Sequence, residues 1–317
     1  MSVLITGGAG FIGAALARTL IQRGEHVVIF DKVVDKSMEA ESGRIDSIQG
    51  DISNWPEVLR AVQEQRVETI FHLAAMLSAP SDANPWASVN VNAFGTFYVL
   101  EAARLFHVKK VIFTSSLGVY SVDQDTVVTE ETPQRPHQIY GVTKVFGELL
   151  GLYYQRKFGL DFRGVRFPQL IGPEARSSGF GQYNPRLIEA AITGEAFDVW
   201  VPEETVIPLM YIKDAVRSLV MIYGAPEERL VTRVYNLGQI LPPPTARDVV
   251  EAVKEHYPDA RIGFKPDPNV VNALRRIPRV MKGDQAEREW GWKVNYSLRD
   301  AVKDFIEEFK EMREQGG

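Results

Sequence analysis

Tyr140 and Lys144 stand four positions apart in the stretch Tyr-Gly-Val-Thr-Lys. On a helix, side chains with this spacing lie one turn apart on the same face. A neighbouring ammonium favours the ionised form of a phenol, so the pair predicts a tyrosine that acts as a base near neutral pH. The same spacing also arises on solvated helices without chemistry, so its meaning depends on the segments that precede it.

A pair of serines precedes this helix. Residues 113–116 (Phe-Thr-Ser-Ser) end an apolar strand, and ligands of open parallel sheets bind at the carboxyl ends of the strands. A connecting loop of this length can bring the hydroxyls of Ser116 and Tyr140 to one substrate oxygen. We therefore predict that the catalytic residues are Ser116, Tyr140 and Lys144.

A glycine-rich turn, Thr-Gly-Gly-Ala-Gly-Phe-Ile-Gly over 6–13, connects the first strand to a helix. Gly7, Gly10 and Gly13 permit a tight turn, close approach of a pyrophosphate and close packing of the helix on the sheet. The helix N-terminus adds free N–H groups and the positive end of its dipole. Asp31, at the end of the second strand, suits the ribose hydroxyls and disfavours a 2′-phosphate. NAD is therefore the expected cofactor, although the adjacent Lys32 weakens the preference over NADP; a purely structural glycine turn is the alternative.

Further cofactor contacts are expected where the other strands end. Asp51 follows the third strand, from which it reaches an adenine or serves as a simple turn residue. The fourth strand ends in His72 and then in small residues that let the backbone lie against a cofactor, with His72 itself interpreted as a packing residue. The expected cofactor-binding residues are Gly7, Gly10, Phe11, Ile12, Gly13, Asp31, Asp51, Ile52, Leu73, Ala74, Ala75, Asn92, Thr114, Tyr140, Lys144, Phe167 and Pro168.

Length and composition describe an ordinary globular chain. It has 317 residues, 45% hydrophobic and 24% charged, with a formal net charge of −5. No basic surface for nucleic acid is indicated, and without cysteine there are no disulfides, thiolate metal sites or cysteine nucleophiles. The five histidines show no metal-binding spacing, so no metal is expected. No apolar run approaches the ~20 residues that span a membrane, and a cytoplasmic protein is expected.

Short apolar strands alternate with helical patterns through residue 167, including long helices over 86–106 and 139–158. This alternation predicts an α/β fold with a Rossmann-type, doubly wound parallel sheet, whose strands are buried on both faces. After 167 the pattern becomes irregular and rich in proline and glycine, which predicts a smaller C-terminal substrate lobe. We expect an NAD-binding domain over 1–167, joined again by 205–240, and a substrate lobe formed mainly by 168–204 and 241–317.

These motifs resemble those of the extended short-chain dehydrogenase/reductase family, the NAD-dependent epimerases and dehydratases. The resemblance spans essentially the whole chain and rests on TGGAGFIG (6–13), HLAA (72–75), TSS (114–116) and YGVTK (140–144). It implies that Tyr140 is the general acid/base, that Lys144 tunes its pKa and contacts the ribose, and that Ser116 donates a hydrogen bond to the substrate oxygen. Asn92 matches a helix residue that helps to organise the site. The resemblance also implies a homodimer formed through the two long helices.

Within that family the chain more closely resembles epimerase-like L-threonine 3-dehydrogenases than nucleotide-sugar enzymes. The matching stretches include HLAAMLSA (72–79), YGVTKVFGELLGLYY (140–154) and IPLMYIKDAVRSLV (207–220). Nucleotide-sugar epimerases carry an arginine for the substrate diphosphate where this chain has Ile207, and an asparagine where it has Gln169. Arg176, Arg186 or Arg247 remain as substitutes for that arginine.

The substrate pocket departs from the threonine enzymes as well. Their glycine and Gly-Thr-Thr-Asp-Tyr loop are replaced here by Gln169 and by the segment 177–183. We therefore expect an NAD-dependent oxidation of a secondary alcohol on a small, L-threonine-like or other hydroxy substrate. The alternatives are a nucleotide-sugar 4-epimerase or dehydratase and a non-catalytic NAD-binding regulator. The candidate substrate contacts are Ser78, Ser115, Ser116, Tyr140, Gln169, Ser178 and Tyr183.

Overall fold

The computed structural model describes residues 2–34, 43–120, 126–173, 175 and 182–315. The strands in this part of the chain are β1 Ser2–Thr6, β2 His26–Asp31, β3 Ile45–Gln49, β4 Val67–His72, β5 Lys110–Ser116, β6 Val127–Val128, β7 Asp161–Phe167, β8 Gln169–Ile171, β9 Phe197–Val199, β10 Leu209–Tyr211, β11 Val234–Asn236, β12 Ile262–Phe264 and β13 Val280–Met281.

Seven of these strands form one sheet in the order β11–β7–β5–β4–β1–β2–β3, and every pairing in it is parallel. Alternate residues of a strand face opposite sides, and both sides are apolar here. In β1, for example, Val3 and Ile5 join one buried cluster, whereas Leu4 joins a second cluster on the other face. The predicted Rossmann-type, doubly wound α/β fold is confirmed.

Helices cover both faces of this sheet and continue through the C-terminal part. The α-helices are Phe11–Gln22, Trp55–Glu64, Ser78–Ala83, Pro85–Ser88, Gly95–Leu105, Ile139–Phe158, Tyr183–Thr193, Ile212–Gly224, Ala246–Lys254, Pro268–Leu274, Asp284–Trp290 and Leu298–Gln315. A π-helical segment covers Val89–Phe94, and 3₁₀ turns cover Leu117–Val119 and Glu227–Arg229.

The helix expected over 86–106 is not continuous. It consists of Pro85–Ser88, the π-helical segment Val89–Phe94 and Gly95–Leu105, and the π-helical segment contains Asn92, whose side chain accepts a hydrogen bond from the Met76 N–H. The short helix Ser78–Ala83 was not predicted. In contrast, the helix Ile139–Phe158 begins and ends where the sequence predicts, and Gly159 closes it with a φ of 72°. Thr245 caps its helix through a reciprocal pair of hydrogen bonds with Asp248.

The order in which strands are added to the sheet reverses at β1. Strands β1 to β3 extend one way from this point, while β4, β5, β7 and β11 extend the other way. In open α/β sheets such a switch point leaves a crevice at the carboxyl ends of the strands, where ligands bind. The smaller pairs β8–β10 and β9–β12, with helices Tyr183–Thr193, Ala246–Lys254 and Leu298–Gln315, follow beyond that edge.

Candidate active site

A cavity of about 540 Å³ opens at this switch point. Its wall includes the glycine-rich turn, the ends of β2, β4, β5 and β7, and the first turn of the Tyr140 helix. The predicted residues that line it are Gly7, Gly10, Phe11, Ile12, Gly13, Asp31, Ile52, Leu73, Ala74, Ala75, Thr114, Ser115, Ser116, Tyr140, Lys144, Phe167, Pro168 and Gln169. The structure therefore brings residues from seven separate segments into one site.

The glycine turn lies at the centre of this wall. Gly7 has a φ of 72°, and a side chain on it would approach the Ala74 backbone nitrogen to 2.7 Å. Gly13 packs against the turn itself, since an added Cβ would lie 2.7 Å from the Gly8 Cα. The N-cap of helix Phe11–Gln22 is Gly10, which has no side chain to occupy the helix N-terminus. This end is therefore open to an anionic group such as a pyrophosphate.

Asp31 and Lys32 occupy the end of β2. The Asp31 Oδ2 atom accepts a hydrogen bond from the Ala9 N–H at 3.1 Å, which holds the carboxylate above the glycine turn. Lys32 Nζ lies 2.9 Å from Asp51 Oδ2, and this contact lowers the pKa of Asp51 against the effect of its partial burial. Lys32 is therefore neutralised by Asp51, which favours NAD over a cofactor with an additional phosphate.

Asp51 itself does not line the cavity, and its predicted contact with the adenine is not supported. Its Oδ1 atom accepts hydrogen bonds from the Ser53 N–H at 2.9 Å and the Ser53 hydroxyl at 2.7 Å. These bonds and the Lys32 contact direct the carboxylate away from the cavity. Gly50 and Ile52, on either side, line the cavity instead.

His72 connects the glycine turn to the π-helical segment. Its Nδ1 and Nε2 atoms lie 2.7 Å and 2.9 Å from the hydroxyls of Thr6 and Thr96. The Thr96 hydroxyl donates to the Asn92 carbonyl oxygen, so Nε2 carries the proton and Nδ1 accepts one from Thr6. Burial, with a smaller effect of the Lys144 charge, lowers the pKa of His72 to about 3. It is a neutral packing residue, as predicted.

The three predicted catalytic residues meet at the deep end of the cavity. The Tyr140 phenol lies close to the Ser116 hydroxyl, which accepts a hydrogen bond from the Gly118 N–H at 3.1 Å. Lys144 Nζ donates to the Thr114 carbonyl oxygen at 2.7 Å and lies 5.6 Å from the centre of the Tyr140 ring. A hydroxyl, a phenol and an ammonium thus share one wall of the cavity.

In the protein without a bound cofactor, the pKa of Tyr140 is higher than the sequence predicts. Burial raises it to about 12, and the nearby Ser116 hydroxyl opposes this only in part. Lys144 does not reverse the shift, because its ammonium is directed to the Thr114 carbonyl oxygen. Burial also lowers the pKa of Lys144 to about 8, against the Glu148 charge. Without further positive charge nearby, Tyr140 is a protonated phenol at neutral pH.

Asn92 acts from behind the site rather than in the cavity. It is 3% exposed, its Oδ1 atom accepts from the Met76 N–H at 2.7 Å, and its Nδ2 atom donates to the Met76 carbonyl oxygen at 3.0 Å. The same Nδ2 atom lies 3.1 Å from the Thr143 hydroxyl. The expected cofactor contact of Asn92 is corrected to a positioning role, since it joins the loop after β4 to the helix of Tyr140 and Lys144.

Ser115 was predicted to contact substrate, but its hydroxyl donates to the buried Glu148. Neighbouring residues of a strand face opposite sides, so only Ser116 of this pair presents its hydroxyl to Tyr140. Glu148 also accepts two hydrogen bonds from Arg166, at 2.9 Å and 2.7 Å. This buried ion pair holds the end of β5, the end of β7 and the Tyr140 helix in one arrangement.

Of the remaining predicted substrate contacts, some line the cavity and others do not. Gln169 lines the cavity, whereas Ser78 begins the helix Ser78–Ala83 beside the lining residues Met76 and Leu77. Tyr183 is 1% exposed and packs in the core, so its predicted substrate contact is wrong. Ser178 lies outside the described residues. The lining residues that sequence reasoning did not include as site residues are Phe30, Lys32, Gly50, Met76, Leu77, Ala87, Val91, Leu170 and Gln182.

Two of these additional lining residues could have been predicted from the sequence. Phe30 and Gly50 lie at strand ends, next to Asp31 and Asp51, and the carboxyl ends of parallel strands line the crevice. Gln182 belongs to the segment 177–183, which replaces the Gly-Thr-Thr-Asp-Tyr loop, but no motif or periodicity in that segment indicates which of its residues reaches the cavity. In the part of the chain that the structure describes, no group of three or more acidic or histidine side chains is placed to hold a metal ion. Among the same residues, no helix has the length and apolar character needed to cross a bilayer.

The model of the NAD dependent epimerase/dehydratase family matches residues 3–238. The chain belongs to that family. The mitochondrial L-threonine 3-dehydrogenase of Bos taurus is 31% identical over 307 residues, which cover 95% of this chain and 80% of that protein. The protein is an NAD-dependent enzyme, and its glycine turn and Asp31 fit the pyrophosphate and ribose of that cofactor.

Two solved structures of differing activity share the fold. The L-threonine dehydrogenase of Clostridium difficile superposes with a TM-score of 0.90 at 30% identity and covers 98% of both chains. The UDP-glucose 4-epimerase of Thermotoga maritima, solved with UDP-glucose, has a TM-score of 0.85 at 25% identity. That match covers 99% of this chain and 100% of the epimerase. The protein is therefore an oxidoreductase of the extended short-chain type that acts on a hydroxy substrate.

Proposed function

We propose that this enzyme oxidises the secondary alcohol of a small hydroxy substrate, L-threonine or a related hydroxy acid, by hydride transfer to NAD. The observation that supports it most directly is the meeting of Ser116, Tyr140 and Lys144 in one cavity, with the Lys144 ammonium 5.6 Å from the centre of the Tyr140 ring. These groups share one cavity with the glycine turn and Asp31. The named threonine dehydrogenases among the relatives support the same substrate class.

The chain's own residues account for the proton. Bound NAD⁺ supplies the hydride acceptor and adds positive charge beside the phenol. In this proposal Ser116 donates a hydrogen bond to the alcohol oxygen. Tyr140, as the phenolate, takes the hydroxyl proton while the hydride leaves the carbon that bears this hydroxyl. Lys144 favours the phenolate through its charge, because its pKa of about 8 leaves it mostly protonated at neutral pH. General-base assistance of this kind contributes about 10²–10⁴-fold to a rate.

The described residues favour a small substrate over a nucleotide sugar. Ile207, at the position of the expected arginine, is 1% exposed and packs in the core. Arg247 Nη2 lies 2.6 Å from Glu203 Oε2 at the surface, and the Arg186 guanidinium stacks 5.4 Å from the centre of the Trp200 ring. Neither arginine lines the cavity, and Arg176 lies outside the described residues. The described part of the cavity therefore presents no arginine to a diphosphate.

We also propose that two copies associate through the helix Ile139–Phe158 and the adjacent helical segments. Large apolar side chains are exposed on both, and Trp86 reaches 80% exposure and Leu149 57%. Monomeric proteins rarely expose a continuous apolar face of this kind, and a two-fold axis would pair it with itself. The exposed set is Trp86, Phe94, Phe97, Leu105, Val142, Phe146, Leu149, Tyr153 and Phe158.

The cysteine-free composition supports the further proposal of a cytoplasmic location.

We likewise propose that the chain divides into a cofactor domain and a substrate lobe. The pairing of β11 with β7 supports assigning 205–240 to the cofactor domain with 1–167. The packing of helices Tyr183–Thr193, Ala246–Lys254 and Leu298–Gln315 with one another supports a separate substrate lobe over 168–204 and 241–317.

NADH formation, followed by absorbance at 340 nm with L-threonine and a panel of hydroxy acids, tests the function. We expect net NADH with at least one of them, and Tyr140→Phe to lower kcat by about 10²–10⁴-fold while NAD still binds. Tyr153→Phe makes the same change on the outer face of the same helix and should retain activity. Full activity of Tyr140→Phe would contradict the mechanism. Interconversion of UDP-glucose and UDP-galactose without net NADH would indicate an epimerase, and NAD binding without either activity a regulator.

A further inference from the structure

Gln182 is a buried residue of the active-site cavity wall, and its amide oxygen has no hydrogen-bond partner among the described residues. It is 7% exposed, lines the cavity and immediately precedes the helix Tyr183–Thr193. Its Oε1 atom is buried and accepts no hydrogen bond from any described residue. A buried carbonyl oxygen without a donor is unfavourable, because it has lost its water without replacement.

The backbone holds Gln182 in this position. Its carbonyl oxygen accepts a hydrogen bond from the Arg186 N–H, and its side chain does not cap the helix that follows. Tyr183 and Leu187, which come next on that helix, are fully buried in the core. The packing of that helix therefore fixes the backbone position of Gln182.

A second buried glutamine shows how this protein treats an amide with a structural role. Gln239 is 3% exposed, its Nε2 atom donates to the Arg279 carbonyl oxygen at 2.8 Å, and its Oε1 atom accepts from the Met281 N–H at 2.8 Å. Both ends of that amide are paired. The oxygen of Gln182 has no such partner, and Gln182 lines the cavity that contains Tyr140 and Lys144, which Gln239 does not.

We propose that Gln182 determines substrate specificity, with its Oε1 atom accepting a hydrogen bond from a second donor on the substrate. The inference rests on the proposed alcohol oxidation and defines its substrate class. The substrate carries an N–H or O–H group besides the hydroxyl that is oxidised. Because the amide is neutral, an ammonium and a second hydroxyl both satisfy it. A substrate without such a group leaves Oε1 unpaired and is disfavoured.

Gln182→Met tests this inference, since methionine keeps the length of the side chain and removes the acceptor. The substrates are L-threonine, 2,3-dihydroxybutyrate and 3-hydroxybutyrate, which carry at the second carbon an amine, a hydroxyl and no donor. In the wild type, kcat/KM should be at least ~10-fold higher for one or both donor-bearing compounds than for 3-hydroxybutyrate. The variant should lose this preference through a ~10- to 100-fold fall for the donor-bearing compounds. Gln63→Met, the same change at an exposed helix position, should alter neither value.

Thermal unfolding without substrate separates a binding role from a structural one. Gln182→Met should raise Tm, because it removes an unpaired buried acceptor, whereas Gln239→Met should lower it by breaking two hydrogen bonds. A lower Tm for Gln182→Met, or failure of both Gln182→Met and Gln182→Leu to fold, would assign the amide to the scaffold and overturn the inference.

Calorimetric titration of the three compounds into the NADH complex gives a readout independent of turnover. Donor-bearing compounds should bind the wild type more tightly, and this difference should disappear in Gln182→Met. If no compound produces NADH, the proposed oxidation fails, and the same titration still decides whether Gln182 selects a donor. If NADH forms but the wild type and Gln182→Met share one preference, the inference about Gln182 fails alone.

Discussion

At the scale of single residues, burial has opposite consequences for the two groups of the Tyr140–Lys144 pair. It raises the pKa of the phenol to about 12 and lowers that of the ammonium to about 8, so each charged form is disfavoured. The protein alone is thus prepared with a neutral phenol and a cation that is close to losing its proton. Proton transfer from a substrate therefore depends on positive charge that accompanies catalysis.

The pH dependence of oxidation follows from these two shifts. Because the pKa of Tyr140 is raised, the phenolate fraction increases as pH rises, and kcat should increase roughly tenfold per pH unit from about pH 6 to 8. Above about pH 8 the increase should level off, since Lys144 then loses the charge that favours the phenolate. Steady-state rates over pH 6–10 measure this, with the Tyr140→Phe variant as the reference. A rate that falls between pH 6 and 8 would contradict this order of pKa values.

Asp31 gives a prediction about cofactor choice. Asp31→Ser removes the carboxylate that repels a 2′-phosphate, so the ratio of kcat/KM for NADP⁺ to that for NAD⁺ should rise at least ~10-fold. Asp51→Asn should raise the same ratio by a smaller factor, because it releases Lys32 from its 2.9 Å contact. Asp259→Asn, an exposed position, serves as the control. An unchanged ratio in Asp31→Ser would show that another residue excludes the phosphate.

At the scale of elements, strand ends and one helix produce the site. The ends of β2, β4, β5 and β7 converge because parallel strands place their carboxyl ends on one edge. The π-helical turn Val89–Phe94 then lets Asn92 join the loop after β4 to Thr143. The position of Lys144 therefore depends on two elements that are distant in sequence.

The glycine turn provides a test at this scale. In Gly13→Ala the new Cβ meets the backbone of Gly7 and Gly8, so the turn must open and NAD affinity should fall at least ~10-fold. Gly224→Ala is the matched control, because no atom lies within 4 Å of its added Cβ and it has an ordinary φ. Fluorescence titration with NADH measures both variants. Equal affinities would mean that Gly13 is not part of a tight cradle.

The sequence predicted the strands and helices that are determined by residues close together in the chain. The strands appear as runs of Val, Ile and Phe, and Gly159 ends the Tyr140 helix where a left-handed residue is required. What was missed depends on long-range packing. The pairing of Ser115 with Glu148 and the burial of Tyr183 in the core both depend on residues that are distant in sequence. Gln182 reaches the cavity only because the helix that follows it is anchored in that core.

At the scale of the whole molecule, the exposed apolar side chains lie on the helix Ile139–Phe158 and on the three consecutive helical segments between Pro85 and Leu105. The helix Ile139–Phe158 packs against both Val89–Phe94 and Gly95–Leu105. Association of two copies would bury this face and restrict the motion of the helix that carries Tyr140 and Lys144.

Leu149→Glu tests this association. A charge at the centre of the proposed interface is costly to bury, so the variant should be a monomer where the wild type is a dimer. Val231→Glu makes the same change at another exposed position, which is 82% exposed and outside this face, and should remain dimeric. Light scattering after size-exclusion chromatography gives the mass of each. A monomeric wild type at micromolar concentration would contradict the proposed dimer.

The helix Ile139–Phe158 leaves little freedom for evolutionary change. One side carries Tyr140, Lys144 and Glu148, and another carries the exposed apolar row of Val142, Phe146 and Leu149. Its glycines close the remaining side, where Gly147 and Gly151 are covered by the rings of Phe113 and Phe162. New substrate preferences therefore have to arise elsewhere, in segments such as 168–182, and libraries aimed at altered specificity should vary those segments while keeping this helix unchanged.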